Sequence, residues 1–147
     1  MGEDHLTECS GVPAHQLAQA WPHVEEYLRT ALSKGLGEYS LREVQLLLAK
    51  EKLQLWVVGD TESLEFLGAF VTQVDESEVG KFLNIFLCAG EDFDDWIHHL
   101  TMVEAWGREQ GCIYSKVYGR RGWKKKLAPY GYAEKYVVLR KKLFEEH

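Results

Sequence analysis

At 147 residues the chain is long enough for one domain with a buried core and too short for two. It is 46% hydrophobic and 27% charged, with a net charge of −6, which fits a globular protein and argues against bulk affinity for nucleic acid while leaving room for a local basic site. No apolar run approaches the ~20 residues that a membrane-crossing helix needs.

The start, Met1-Gly2-Glu3-Asp4, is acidic and lacks the apolar segment of a secretion signal. Cys9, Cys88 and Cys112 are odd in number and far apart, which predicts reduced thiols in a cytoplasmic setting. Five Trp, seven Tyr and six Phe predict an aromatic-rich core. His5 to Cys9 reads as a short edge strand or an ordered tail. Pro13 to Lys34 has helical spacing, with Leu17, Trp21, Val24, Leu28 and Ala31 on one stripe and Lys34-Gly35 as the stop. Pro22 falls inside that pattern, so the helix either begins there or bends there. Gly35-Leu36-Gly37 reads as a loop. Ser40 and Glu43 have the spacing of a capping box and open a second helix that carries Leu41, Val44, Leu47 and Leu48 and fades at Lys50-Glu51.

The period then changes to that of strands. Leu53 to Gly59, Leu64 to Val74 and Lys81 to Cys88 are joined by the short polar turns Gly59–Glu62 and Glu76–Glu78, which predicts an antiparallel meander. The third of these strands is apolar on both faces apart from Asn84, as expected in the middle of a sheet. Ala89-Gly90 turns the chain into a long helix from near Phe93 to just before Gly111, with Phe93, Trp96, Ile97, Leu100, Val103 and Gly107 on one face. Asp92, Asp94 and Asp95 sit where a helix start favours carboxylates. A strand–turn–helix unit of this kind aims backbone N–H groups at whatever lies beyond the strand end. Cys112 to Tyr118 is the next strand, Gly119–Gly122 a turn, Trp123 to Ala128 a short helix stopped by Pro129, and Gly131 to Leu143 a last strand centred on Tyr136–Leu139. The order β-α-α-β-β-β-α-β-α-β makes residues 1–147 a single α+β domain, a three-layer α/β/α arrangement around a mostly antiparallel sheet.

From Lys116 to Lys126 there are six basic residues and no acidic one, so the rest of the chain carries −12. Arg120, Arg121, Trp123 and Lys124 there read in two ways. They form an anion or partner site, where Trp123 and Tyr118 stack on a ring of a nucleotide or nucleic acid. Or they form a solvated helix face, with Trp123 in the core and one arginine paired to the acidic turn at 91–95. The second needs no ligand, and both loops fall at the same end of the sheet. His98 and His99 point about 100° apart on a helix and cannot share a metal from it; no other histidine has ligand spacing, so no metal is expected. Cys88 at a strand end reads more simply as a buried thiol than as a nucleophile, since no base adjoins it in sequence. Asn84 either faces a substrate cleft or satisfies a local bulge.

This element order, with two amphipathic helices before a meander, a central strand feeding a long helix, and Tyr130-Gly131-Tyr132 before the last strand, resembles the GNAT superfamily of N-acyltransferases over most of the chain. More narrowly, GRRGWKKKLAPYGYAEKYVVLRK at 119–141, together with LQLWVV and GAFVTQV, is similar to small GNAT-like proteins of tailed phages and prophages. The resemblance implies that acetyl-CoA would lie against Leu87, Cys88, Ala89 and Gly90, in a splay between the central strand and Cys112–Tyr118. It also implies a tyrosine general acid in a slot that falls near Lys126-Leu127. Tyr118 and Tyr130 are the nearby candidates, with Asn84 the polar residue of the central strand. The family's pyrophosphate loop usually reads Gln/Arg-x-x-Gly-x-Gly/Ala. Here that place reads Ala89-Gly90-Glu91-Asp92-Phe93-Asp94-Asp95, with one glycine, no basic residue and four carboxylates. Like charges about 4 Å apart repel by ~1 kcal/mol in water and several-fold more near a protein surface. A helix N-terminus supplies only about half a positive charge against them.

Three functional readings follow. The departure in the loop favours a non-catalytic or divergent member in a phage structural or protein-interaction role. Such a protein would sit in the host cytoplasm or the virion, its partner a phage or host protein or a second copy. The alternative is an acyl-CoA-dependent N-acetyltransferase. The third is nucleotide or nucleic-acid contact through 116–126, which the acidic remainder disfavours.

Overall fold

The computed structural model describes residues 6–34, 39–118, 121–135 and 137–144. Five strands form one sheet in sequence order: β1 (Thr7–Val12), β2 (Gln54–Asp60), β3 (Phe66–Ser77), β4 (Gly80–Gly90) and β5 (Cys112–Val117). The first four pair antiparallel, which confirms the meander, and β5 pairs parallel to β4 through a helical crossover. Two helices cover one face, α1 (Leu17–Ser33) and α2 (Leu41–Ala49); α3 (Leu100–Glu109) and α4 (Arg121–Leu127) lie on the other.

The apolar stripe of α1 does what its spacing requires. Val24 and Leu28 are fully buried and pack with Trp21, Val44 and Leu48 against Leu55, Val71 and Leu87 of the sheet. Each such aliphatic side chain contributes roughly 1.5–3 kcal/mol on burial. The helix begins at Leu17 after a 3-10 turn at Ala14–Gln16, so Pro22 falls in its second turn instead of opening it. That proline forgoes one i→i−4 hydrogen bond at an exposed position. The Ser40 half of the capping box forms: Ser40 Oγ accepts from the Glu43 N–H at 3.1 Å.

The opposite face is built on aromatics. Trp56, Val58, Phe70, Leu83 and Ile85 of the sheet meet Trp96, Leu100 and Val103. A β-bulge decides which residues of β4 go to which face. Val71 pairs with Leu87 and Thr72 with Ile85, which leaves Phe86 as the extra residue. Leu83 and Ile85 therefore face α3, while Leu87 and Ala89 face α1.

Two expectations need correction. The long helix does not open as an α-helix at Phe93. Residues Phe93–Asp95 and Ile97–His99 form two 3-10 turns, and α3 proper starts at Leu100. The cause is Trp96, which is fully buried, stacks edge-on against Phe70, and donates its indole N–H to the Glu91 carbonyl at 2.6 Å. That anchor draws the chain off the regular helical path. Asp92 accordingly adopts left-handed φ of 52° and makes no side-chain cap, so the predicted capping role of this carboxylate is not realised. The second correction is the last strand. Residues 131–135 and 137–144 form no strand, and Val137, Leu139, Leu143 and Phe144 are 66–90% exposed. β-propensity is realised only against a paired and packed neighbour, and among the described residues no strand pairs with this segment. Tyr136, its predicted centre, lies outside the described residues. Among the described residues no helix is long and apolar enough to cross a membrane.

The indole of Trp96 fits only because glycine occupies two facing positions. A Cβ on Gly68 would lie 2.3 Å from Trp96 Cζ2, and one on Gly90 would lie 2.3 Å from the Leu67 carbonyl oxygen and 2.9 Å from Trp96 Cζ2. Gly90 also has φ of 144°. Gly90→Ala combines backbone strain with overpacking and should cost roughly 2–5 kcal/mol, read as a lowered urea midpoint with an unchanged m-value. Ala at Gly122, where an added Cβ meets nothing within 4 Å, is the control and should leave the midpoint within experimental error.

Candidate functional site

The site is set by where β4 and β5 part. Their register runs from Lys81↔Cys112 to Ile85↔Val117, and the Tyr118 N–H reaches the Ile85 carbonyl at 3.4 Å. Beyond this point β4 continues through Phe86–Gly90 with β3 on one side and, among the described residues, no strand on the other. The bulge at Phe86 sits at the mouth of this splay. A cleft of about 320 Å³ opens beside the end of β4, walled by Cys88, Ala89 and Gly90, by Tyr27 of α1 and Lys34 just past its end, and by Phe93, Trp123 and Lys126 on the far side. A strand edge with unpaired backbone groups, facing a cleft, is suited to an extended chain that carries amide groups.

The turn beyond β4 is occupied by the protein's own groups. The Tyr27 hydroxyl lies 2.9 Å from Glu91 Oε2 and 3.1 Å from the Phe66 carbonyl, and its single proton is shared between them. Burial, reinforced by the Glu91 carboxylate, pushes the Tyr27 phenol up to about 12. The Glu91 carbonyl takes the Trp96 indole proton, and the N–H groups of Glu91, Asp95 and Trp96 donate to Leu67, Asp92 and Phe93. Asp94 pairs with Lys126 at 2.7 Å. The basic segment thus pairs internally with the acidic turn through Lys126; the expected pairing of an arginine there falls on Arg120 and the Arg121 side chain, which lie outside the described residues. Glu91, Asp92, Asp94 and Asp95 are all exposed.

The structure brings some predicted residues together and separates others. Cys88, Ala89, Gly90 and Trp123 share the cleft, while Leu87 turns into the α1 core. Trp123 is half-buried and packs edge-on against Phe93 at 4.3 Å between ring centres. Lys124 pairs with Glu134 at 3.0 Å. Arg120 and the side chain of Arg121 lie outside the described residues. Tyr118 is 43% exposed, with the Lys116 ammonium 5.6 Å from its ring. Tyr130 borders a different cleft, between α3 and β5. Asn84 precedes the splay by one register pair, and its buried Oδ1 has no hydrogen-bond partner among the described residues. That oxygen therefore does not tie up the bulge. Burial pushes the Cys88 thiol up to about 12 and the Cys9 thiol to about 11, so neither is a thiolate nucleophile near neutral pH. His99 holds Thr7 Oγ1 at 2.8 Å through Nε2, which ties α3 to β1; burial, then its neighbour His98, lowers its pKa. Among the described residues no cluster of His, Cys, Asp and Glu is placed to hold a metal ion.

Tyr27 and Lys34 are cleft residues that sequence reasoning missed, whereas Lys126 belongs to the basic segment it singled out. Tyr27 lies beside the α1 stripe and meets Glu91 from 64 residues away, so nothing local signalled it.

A mostly antiparallel sheet with one parallel pair that splays beside a strand–turn–helix unit is a specific architecture, and solved structures share it. An aminoglycoside acetyltransferase from an uncultured soil metagenomic sample, solved in complex with sisomicin, superposes with a TM-score of 0.70 at 14% identity, covering 97% of this chain and 99% of that one. A predicted acetyltransferase with acetyl-CoA from Clostridium acetobutylicum gives 0.66 at 11% identity, covering 97% and 99%. A GCN5-related N-acetyltransferase from Ralstonia eutropha JMP134 gives 0.67 at 16% identity, covering 93% and 99%. The chain has the GNAT fold. No family model matches the sequence, and no curated protein matches it. In this GNAT fold the two halves of an acyl-CoA site fare differently. The splay and its cleft fit an acyl-bearing arm. The turn at 91–95 does not fit a pyrophosphate, because its charges are negative and several of its donors are engaged.

The phenol of Tyr27 is a sensitive reporter of the closed turn. Its pKa is raised on folding, so its contribution to stability is complete below pH ~10, its unfolded value, and is lost as pH rises through about 12. Tyr132, raised by burial and by the Glu104 carboxylate, acts in the same direction. Absorbance titration at 295 nm should show late-ionising phenols, and Tyr27→Phe should remove one of them. A titration in which all seven tyrosines ionise together near pH 10 would contradict the closed turn.

Proposed function

We propose that this GNAT-fold protein is a divergent member that does not use acetyl-CoA in the ordinary way and acts instead through contact with protein partners. The observation that carries the reading is the self-closed turn: Tyr27 on Glu91, Trp96 on the Glu91 carbonyl, and Lys126 on Asp94. A pyrophosphate entering there would meet exposed carboxylates, and the lysine nearest the turn, Lys126, is already paired with Asp94. The similarity of residues 119–141 to small proteins of tailed phages supports a phage structural or interaction role, with a phage or host protein or a second copy as partner.

A specific observation keeps the N-acetyltransferase reading as the second. The splay beyond Ile85/Val117 and the orphan Oδ1 of Asn84 beside it are what an acyl arm and an incoming amine would require. Nucleic-acid contact has less support, since Lys124 and Lys126 are engaged with Glu134 and Asp94.

Calorimetric titration with acetyl-CoA, after mass spectrometry for co-purified CoA, separates the first two readings. The expected result is no saturable heat up to millimolar ligand. Neutralising the turn with Glu91→Gln, Asp92→Asn and Asp95→Asn should then raise affinity for acetyl-CoA by about tenfold or more, since ~1.4 kcal/mol of removed repulsion is tenfold. Micromolar binding by the unmodified protein would instead establish the transferase reading and make amine substrates the next question.

A further inference from the structure

Of the two strands that flank the splay, only β4 goes on. Its register with β5 ends at Ile85↔Val117, and it runs from there to Gly90 paired with β3 alone among the described residues. In an antiparallel pair, alternate residues turn their N–H and C=O groups away from the partner strand. Along Phe86–Gly90 those outward groups meet no backbone partner among the described residues. Backbone polar groups at the wall of a cleft require a partner, and a free strand edge is a template for an added strand.

The cleft beside this edge has the size and lining for a short extended segment. It holds about 320 Å³. Tyr27, Thr30, Ala31 and Lys34 line one wall at helical spacing. From the first to the last of them the helix rises about 10 Å, which is the reach of roughly three extended residues. Phe93 and Trp123, half-buried and packed edge-on, give the far wall an apolar surface. Charge is unequal along the cleft. Glu91 and Asp94 stand exposed at the turn, and Lys126 is held by Asp94. Lys34 is exposed and enters no ion pair among the described residues. An acidic group is therefore repelled beside the turn and attracted beside Lys34.

We propose that an extended peptide segment of a protein partner adds to the β4 edge within the splay. Its backbone pairs with Phe86–Gly90, an apolar side chain packs on Phe93 and Trp123, and an acidic side chain reaches Lys34. The proposal rests on the partner-binding reading given above and names what the partner must supply. A peptide and an acyl-CoA arm share the amide groups that such an edge recognises. The peptide needs no seat for a pyrophosphate, which the self-closed turn does not provide. It also brings a carboxylate to Lys34, which an amide arm lacks.

The probes are two capped hexapeptides, acetyl-Glu-Val-Thr-Val-Thr-Val-amide and its reversed sequence, titrated into the full 15N-labelled chain and followed by amide NMR. The direction that carries glutamate toward Lys34 should give saturable shifts centred on Phe86–Gly90, with a dissociation constant below about 1 mM. N-methylation of one alternate set of its amides should weaken binding at least tenfold, and methylation of the other set should leave it unchanged, because an added strand turns only one set toward β4. Lys34→Glu should weaken binding about threefold or more, and the same peptide with lysine in place of glutamate should restore it. The spectrum of each variant reports whether it folds. Shifts centred elsewhere, no shifts up to several millimolar, or equal tolerance of both methylation patterns would overturn the proposal. If acetyl-CoA also fails to bind, that overturn is confined to the peptide site and leaves the partner-binding reading in place. Acetyl-CoA that saturates the same amides at micromolar concentration would overturn that reading, and this site with it.

Discussion

The burial of one indole governs the end of the molecule where the candidate site lies. Trp96 sits beneath Gly68 and Gly90, with its ring edge-on to Phe70 and Phe93 and its N–H on the Glu91 carbonyl. A ring of this size contributes several kcal/mol on burial, and its N–H must be paired when it is buried. Both demands are met only if the chain makes a tight exit from β4, spends two 3-10 turns, and delays α3 until Leu100. The exposed carboxylates, the left-handed Asp92 and the placing of Phe93 against Trp123 all follow from that path. A regular α-helix opening at Phe93 would aim a row of free N–H groups beyond the strand end, as an anion site needs. This chain spends the first turns of that helix on holding a tryptophan.

The sheet and its helices were largely legible because their signals are local and repeated. The stripe Leu17, Trp21, Val24, Leu28 has a single helical reading, and Ser40 with Glu43 marks a start that the structure reproduces to the hydrogen bond. Three β-prone runs joined by polar turns leave little choice but a meander, and the near-continuous apolar run of β4 identified it as interior. What could not be read depended on partners distant in sequence. Phe93, Trp96, Ile97 and Leu100 have helical spacing, and nothing in that spacing says that the indole will seek a carbonyl five residues back. Tyr27 and Glu91 meet only because α1 crosses the end of β4. A contact between the basic and acidic loops followed from topology, whereas the choice of Lys126 for Asp94 depended on where each side chain leaves its backbone. The run Tyr136–Leu139 has the composition of a strand, but composition does not supply a neighbour to pair with.

The features that argue against ordinary acetyl-CoA binding under the proposed reading lie on one half of the site. On the β4 side there is a strand edge that pairs with no strand among the described residues, a bulge at its mouth, and a cleft of ligand size. On the helix side, both the charge and the donors are altered. This asymmetry has a physical basis. The splay is a consequence of sheet topology and survives any sequence that keeps β4 and β5 parallel and unequal in length. The phosphate seat depends on a few side chains and on free N–H groups, so substitution can abolish it without cost to the fold. A shared GNAT fold therefore accounts for the splay in this chain, while any ligand seat depends on which residues line it.

The splay and the open sheet edge are two sides of the same strand. β5 is six residues long, is held by its parallel register with β4, and is fixed to α3 through the chain Ser115–Tyr132–Glu104. In that chain the phenol gives its proton to a carboxylate and takes one from the serine, so all three groups are satisfied in a half-buried setting where an unpaired one would be costly. Its inner edge ends at Val117, where the splay begins, and among the described residues its outer edge meets no strand. The contacts that hold β5, its register with β4 and the anchor at Tyr132, involve none of the residues of the turn at 91–95. The position of the splay and the chemistry of the turn are therefore fixed by separate sets of residues, and either can change in sequence without moving the other.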